Sequence, residues 1–204
     1  LTEPGEHNIW QKIAANTQGI VTPGNVITVG SAVLFMDGLY DYSQGQKPSG
    51  FIKMLGGALG DWIDGKVAAR TETKSPLGET LDASLDKAKM LGALVVLGVT
   101  EVVPVLPLVI VGTQNLANTV FTGIAKARHR EVHAEMSNKL TPWVQGIGLA
   151  GFIASDIISP GIGQQLAEAT GYAGTVLGTL TVGSLGTKNL YDYAFKPQQQ
   201  PGAV

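Results

Sequence analysis

The amino-acid sequence predicts an all-α, polytopic membrane protein: six transmembrane helices preceded by an interfacial helix. Three observations carry this. Only 15% of the 204 residues are charged while 44% are apolar, against roughly a quarter charged in ordinary soluble domains. The charges are spaced so that apolar stretches of membrane length lie between them. Finally, many of the 27 glycines fall inside those stretches. In a soluble helix each such glycine costs about 1 kcal/mol relative to alanine, so a very apolar soluble bundle would be poorly served by Gly56, Gly57, Gly60, Gly174, Gly178, Gly183 and Gly186. In lipid, small residues at four-residue spacing, such as Gly56 with Gly60 or Gly174 with Gly178, let helix backbones approach closely.

The elements follow in order. Residues 1–22 set Trp10, Ile13 and Ile20 among polar neighbours and read as an interfacial amphipathic segment. Spans are expected at residues 26–42 and 50–69, the second carrying Lys53, Asp61 and Asp64 in a background of small and apolar residues. The apolar run 90–111 is too long for one span, and Glu101, Pro104 and Pro107 mark where it turns. It divides into spans at 86–101 and 104–125. The last two are expected at 141–159 and 166–187, so residues 23–195 form one six-span domain. The Gln- and Pro-rich stretch 196–204 reads as a disordered tail. The sequence opens on Leu1 with no signal-peptide pattern, and its N-terminal residues are expected to belong to the mature protein.

Six spans with both termini in the cytoplasm place 12 of the 14 Lys and Arg residues on the cytoplasmic side, leaving Lys47 and Lys53 outside. That is a strong positive-inside bias. The net charge of -2 supplies no basic excess of the kind that holds a phosphate backbone, so no nucleic-acid partner is expected. With no cysteine in the chain, disulfides, thiolate metal sites and a cysteine nucleophile are excluded.

Four acids, Asp61, Asp64, Asp82 and Asp86, flank one basic cytoplasmic loop. The first two are three residues apart and the last two four, so each pair lies on one face of its helix. Carboxylates gathered this way repel one another and need a positive partner. Hard oxygen ligands with no Cys or His beside them suit Mg2+, Mn2+ or Ca2+ better than zinc, and two divalent ions on such a set could hold a pyrophosphate. The alternative reading of the same spacing is a pair of solvated helix ends.

The stretch Asp61-Trp-Ile-Asp64-Gly65-Lys-Val-Ala68-Ala69-Arg70, continued by Gly78-Glu-Thr-Leu-Asp82-Ala-Ser-Leu-Asp86, resembles the signature of the CDP-alcohol phosphotransferase family. Asp61, Asp64, Gly65, Ala68, Gly78, Asp82 and Asp86 stand at the family's offsets. One position departs, because Ala69 stands where the family has arginine and Arg70 comes one residue later, a helical rotation of about 100°. Pro23-Gly24-Asn25-Val-Ile-Thr28 resembles the family's Pro-Asn-x-x-Thr opening of the first span, with Gly24 inserted.

The resemblance implies six spans, an active site at the cytoplasmic leaflet, and transfer of the phosphatidyl group of CDP-diacylglycerol to an alcohol with release of CMP. Carried over residue by residue, it implies two divalent ions, Mg2+ or Mn2+, on Asp61, Asp64, Asp82 and Asp86, with Asp86 also the general base. CDP would be bound by Gly65, Ala68, Arg70, Gly78, Asn25 and Thr28, and a homodimer with separate active sites is expected. Lys87 directly after Asp86, with Lys139 and Gln145 in Asn138-Lys139-Leu-Thr141-Pro-Trp-Val-Gln145, is similar to the phosphatidylglycerophosphate and cardiolipin synthase branch. That resemblance points to glycerol 3-phosphate as acceptor. Where the branch often carries Arg-Glu, this chain has Gln114-Asn115, which keeps phosphatidylglycerol and inositol phosphate open as acceptors. A glycerol 3-phosphate dianion would be met by Lys139, Arg128 and Arg130, residues that positive-inside charge or anionic headgroups explain equally well.

His129 and His133 are four apart without a third ligand and read as interfacial. Asp37, Asp41 and Asp156 lie in or beside spans with no role assigned. The rival from another class is a six-span cation transporter or channel, which would spread its acids along a pore at several depths.

Overall fold

The computed structural model describes residues 9–73, 75–128 and 136–196, with the side chains of Pro76, Ser137, Asn138 and Lys139 outside the description. Every regular element among these residues is helical. The chain divides into two compact units, Leu1–Val96 and Leu97–Val204.

The first unit contains α1 (Ile9–Asn16), α2 (Pro23–Ser43), α3 (Lys47–Arg70) and most of α4 (Pro76–Val99). Thr22 caps α2 by accepting the Asn25 amide at 3.0 Å, and Pro23 at the first position needs no partner for the N–H it lacks. At the α2–α3 turn Gly45 takes φ +83°, a left-handed conformation that favours glycine. Ser75 holds the start of α4, its hydroxyl accepting the Gly78 amide at 3.0 Å.

Helices α2 and α3 lie antiparallel in close contact along most of their length. A Cβ placed on Gly50 would stand 2.6 Å from the Gly38 carbonyl oxygen, and one on Gly57 would stand 2.6 Å from that of Ser31. Near the other end a Cβ on Gly24 would stand 2.9 Å from the Ala68 methyl, so the glycine inserted before Asn25 is what lets the start of α2 meet the end of α3. The expected small-residue pair Gly56 and Gly60 is corrected to Gly57 and Gly60. A Cβ on Gly56 would meet only the Leu34 side-chain tip at 3.1 Å, whereas Gly57 and Gly60 both face Ser31.

The second unit contains α5 (Val105–Ala127), α6 (Met136–Ile157), α7 (Ile162–Tyr172), a π-helical stretch (Ala173–Gly183) and α8 (Ser184–Phe195). The run 90–111 turns where Glu101, with φ +56°, and Pro104 were expected to turn it, but Pro107 lies inside the first turn of α5, where a missing N–H costs little. Residues 162–195 form one continuous helical rod. Within its central π segment the Thr175 and Thr181 hydroxyls donate to the Gly171 and Leu177 carbonyls, four residues back. Gly148 and Gly174 bring α6 against this rod; a Cβ on Gly174 would stand 2.6 Å from the Gly148 Cα.

Among the described residues, α5 alone is long and apolar enough to cross a membrane by length and composition. Glycine, serine and threonine dilute the apolar content of α2 and α6, and charges interrupt α3 and α4. The pattern of exposure reverses that of a water-soluble bundle. On α2 the buried positions include Asn25, Thr28, Ser31 and Asp41, while Val26, Val29, Val33 and Leu34 are exposed.

Candidate active site

The motif residues occupy the C-terminal half of α3 and the first three turns of α4. Some of them, together with the start of α2, line an open cavity of about 190 Å³, with Asp61 and Asp86 outside the lining. Asn25 and Thr28 line it from α2, Asp64, Gly65 and Ala68 from α3, and Gly78 and Asp82 from α4. Five of the six residues expected to bind CDP are therefore brought to one place. The sixth, Arg70, is exposed at the end of α3 and is not in the lining. A second cavity of about 620 Å³, lined by α1 with Glu72, Thr73 and Ser75, shares Thr73 and Ser75 with the first.

The two motif glycines differ in kind. A Cβ on Gly65 would meet nothing within 4 Å, so its lack of a side chain serves access to the cavity. A Cβ on Gly78 would stand 2.5 Å from Asn25 Oδ1, so this glycine makes room for Asn25. The Asn25 amide nitrogen donates to the Gly19 and Ile20 carbonyls at 3.0 and 2.9 Å, tying the chain before α2 to the cavity wall.

Asp64 is buried and accepts the Thr28 hydroxyl at 2.5 Å. One turn earlier, Asp61 accepts the Ser31 hydroxyl at 2.7 Å on Oδ1, and its Oδ2 is paired with the Lys89 ammonium. Lys89, itself only 5% exposed, also reaches Asp86 Oδ1 at 2.9 Å. Asp82 lies one turn before Asp86 on α4. Burial first, then the negative charges of Asp86, Asp64 and Asp61, push its carboxyl up from 3.8 to about 6. Since this folded-state value lies above the unfolded one, ionised Asp82 disfavours the fold above pH 6, and protonation relieves the strain as pH falls toward 4. Melting in EDTA is thus expected to move to higher temperature between pH 7 and 5, with a smaller shift in Asp82→Asn; equal shifts would show that Asp82 is not the group responsible.

The donor set, four carboxylates without thiol or imidazole, fits a hard divalent cation. In the side-chain arrangement described, however, no three acidic or histidine side chains close on one point. The cation between Asp61 and Asp86 is Lys89.

Sequence reasoning singled out Lys87, but Lys87 is exposed and Lys89, three residues beyond Asp86 on the same helix face, is the one turned to the carboxylates. Asp37 and Asp41 gain a partner in Lys53, at 2.6 and 2.7 Å, near the opposite end of the α2–α3 pair from the motif. In the second unit, Gln145 is buried, donating to Gln114 Oε1 at 2.5 Å and the Thr179 hydroxyl at 3.0 Å while accepting from Asn115 at 3.0 Å. The Gln114-Asn115 pair and Gln145, noted in separate segments of the sequence, thus form one network. Arg128 donates to the Ala194 carbonyl at 2.6 Å and stacks on Phe195, closing the end of α8. Arg130, His129 and His133 lie outside the described residues, as does the Lys139 side chain.

The CDP-alcohol phosphatidyltransferase family profile matches residues 20–180, and the chain belongs to this family. It is a transferase family of phospholipid synthesis, membrane-associated, that moves a phosphatidyl group from a CDP-alcohol to an alcohol acceptor, generally with divalent metal ions. Neither a curated protein nor a solved structure matches the chain.

Proposed function

We propose that this chain transfers the phosphatidyl group of CDP-diacylglycerol to glycerol 3-phosphate, giving phosphatidylglycerophosphate and CMP. The observation that carries the donor half of this reading is the cavity itself, where Gly65, Ala68, Gly78, Asn25 and Thr28 meet Asp64 and Asp82. The unobstructed face of Gly65 lets a nucleotide lie against backbone. Asp61, Asp64, Asp82 and Asp86 would hold the divalent ions, which when bound offset the charge of the pyrophosphate. Asp86, 56% exposed and within reach of solvent, would receive a proton from an arriving hydroxyl. As that hydroxyl oxygen bonds to the phosphorus carrying diacylglycerol, the bond from this phosphorus to the CMP oxygen breaks and the proton passes to Asp86.

Lys139, Arg128 and Arg130 are assigned to the acceptor phosphate on charge chemistry. For Arg128 this means sharing a guanidinium that also serves the Ala194 carbonyl. The test supplies the purified protein and CDP-diacylglycerol with glycerol 3-phosphate, phosphatidylglycerol, inositol 1-phosphate and serine in turn. Phosphatidylglycerophosphate is the expected product. Product with inositol 1-phosphate or phosphatidylglycerol but not with glycerol 3-phosphate would reject the acceptor, and no CMP from any of them would reject the transfer.

The six-span topology, with cytoplasmic termini and a homodimeric assembly, belongs to the same reading. It is supported by polar residues turned inward and valines and leucines turned outward on α2, by the close glycine contacts within each unit, and by the positive-inside bias. In this cysteine-free chain, single Cys substitutions at Lys74 and Arg128 are expected to label from the cytoplasmic side and one at Lys47 from outside. Positions 74 and 47 reacting from the same face would end the six-span assignment.

A further inference from the structure

We propose that Lys89 is the internal counter-cation of the carboxylate set, a positioning residue whose ammonium holds Asp61 and Asp86 and is displaced when a divalent cation binds. The inference rests on the reading of these acids as metal ligands.

Lysine is almost never fully buried unless paired, and Lys89 is 5% exposed with its ammonium against Asp61 Oδ2 and 2.9 Å from Asp86 Oδ1. It links the last turns of α3 to the second half of the motif on α4, since Asp61 and Asp86 are 25 residues apart in the chain. Both oxygens of Asp61 are engaged by the protein, one by Ser31 and one by Lys89. Each carboxylate oxygen has lone pairs for more than one partner, so these contacts do not by themselves bar a cation; what matters is the charge of each partner. Ser31 can stay, because its hydroxyl is a neutral group that also has the Thr28 carbonyl within reach at 2.9 Å. Lys89 cannot, because an ammonium against the same oxygen as a dication is a like-charge contact in a partly desolvated place. Its flexible four-carbon stem lets the ammonium swing away without moving the helix, and the more exposed Asp86 offers a direction toward solvent.

Two consequences separate this role from a merely structural ion pair. Removing the ammonium should strengthen cation binding, and binding a cation should uncover Lys89. A unit charge within about 4–6 Å moves a proton equilibrium by about 1–3 units, so for a dication the expected gain is at least about tenfold. Mn2+ binding to detergent-purified protein without substrate, followed by electron paramagnetic resonance, is compared for the parent, Lys89→Met and Asp61→Asn. Lys89→Met is expected to bind at least about tenfold more tightly than the parent while melting at lower temperature in EDTA. Asp61→Asn is expected to lose binding. Equal or weaker binding by Lys89→Met, with the parent still dependent on Asp61, overturns the counter-cation role and leaves the metal reading standing. Absence of Asp61-dependent Mn2+ binding in both parent and Lys89→Met overturns the two together.

A second measurement keeps the parent sequence, so it decides even where Lys89→Met does not fold. Amine acylation is followed by mass spectrometry at Lys89, with the exposed Lys66, which lies over the Trp62 ring, as internal reference. Mn2+ is expected to speed acylation of Lys89 relative to Lys66. An unchanged or slower relative rate at saturating Mn2+ would overturn the displacement.

Discussion

Asp86→Asn is expected to lower product formation by about 10²–10⁴-fold, the usual cost of losing a general base, while binding of a CDP ligand with Mg2+ or Mn2+ stays near that of the parent. The amide preserves shape and removes the negative charge. Asp64 and Asp82 line the cavity and Asp61 stands one turn from Asp64, so three carboxylates remain to bind a cation near the nucleotide. Lys89 loses one of its two partners in this variant but keeps Asp61. The other three replacements should behave differently. Asp61→Asn, Asp64→Asn and Asp82→Asn are each expected to weaken cation and nucleotide binding together, with turnover falling alongside. A fall well beyond about 10⁴-fold in Asp86→Asn would show that its hold on an ion weighs on turnover along with its acceptance of the proton. Near-normal turnover in Asp86→Asn, or parental cation and nucleotide binding in Asp61→Asn, would show the roles to be misassigned within the family.

Gly50→Val is expected to destabilise the first unit severely and to abolish transfer, because the new atoms have nowhere to go. A Cβ at this position would stand 2.6 Å from the Gly38 oxygen and 2.7 Å from the Tyr42 nitrogen. Both obstacles are backbone, so no change of rotamer relieves them, and α2 and α3 must part. Overpacking that side chains can absorb costs about 1–3 kcal/mol; a backbone clash should lie at or above the top of that range. The same helix pair holds Thr28 against Asp64 and Ser31 against Asp61, so damage near Gly50 reaches the motif through the pair. Gly30→Ala is the control: nothing lies within 4 Å of a Cβ there, and alanine favours helix. Thermal unfolding in detergent should show a large drop for Gly50→Val and none for Gly30→Ala. Equal melting temperatures would mean that α2 and α3 do not pack as described.

What the sequence determined by itself is local and periodic. Apolar stretches bounded by charges, Pro104 and Glu101 located the helices, and steps of three and four residues placed Asp61 with Asp64 and Asp82 with Asp86 because 3.6 residues make a turn. The spacing of the motif was enough to recognise the family. Partners contributed by a different helix were settled only by tertiary structure. Periodicity says that Lys89 shares a face with Asp86, but that Asp61 also comes within reach of its ammonium was decided by the folding of the first unit. Lys53 finds Asp37 and Asp41 across the α2–α3 pair, and Gln145 finds Gln114 and Thr179 from two further elements. The choice of Gly57 over Gly56 as the contact beside Gly60 depends on how α3 is rotated about its axis against Ser31. Short-range geometry is written into residue spacing. Which buried charge or amide meets which depends on helix rotation and approach, and these are decided by packing along the whole length of each pair.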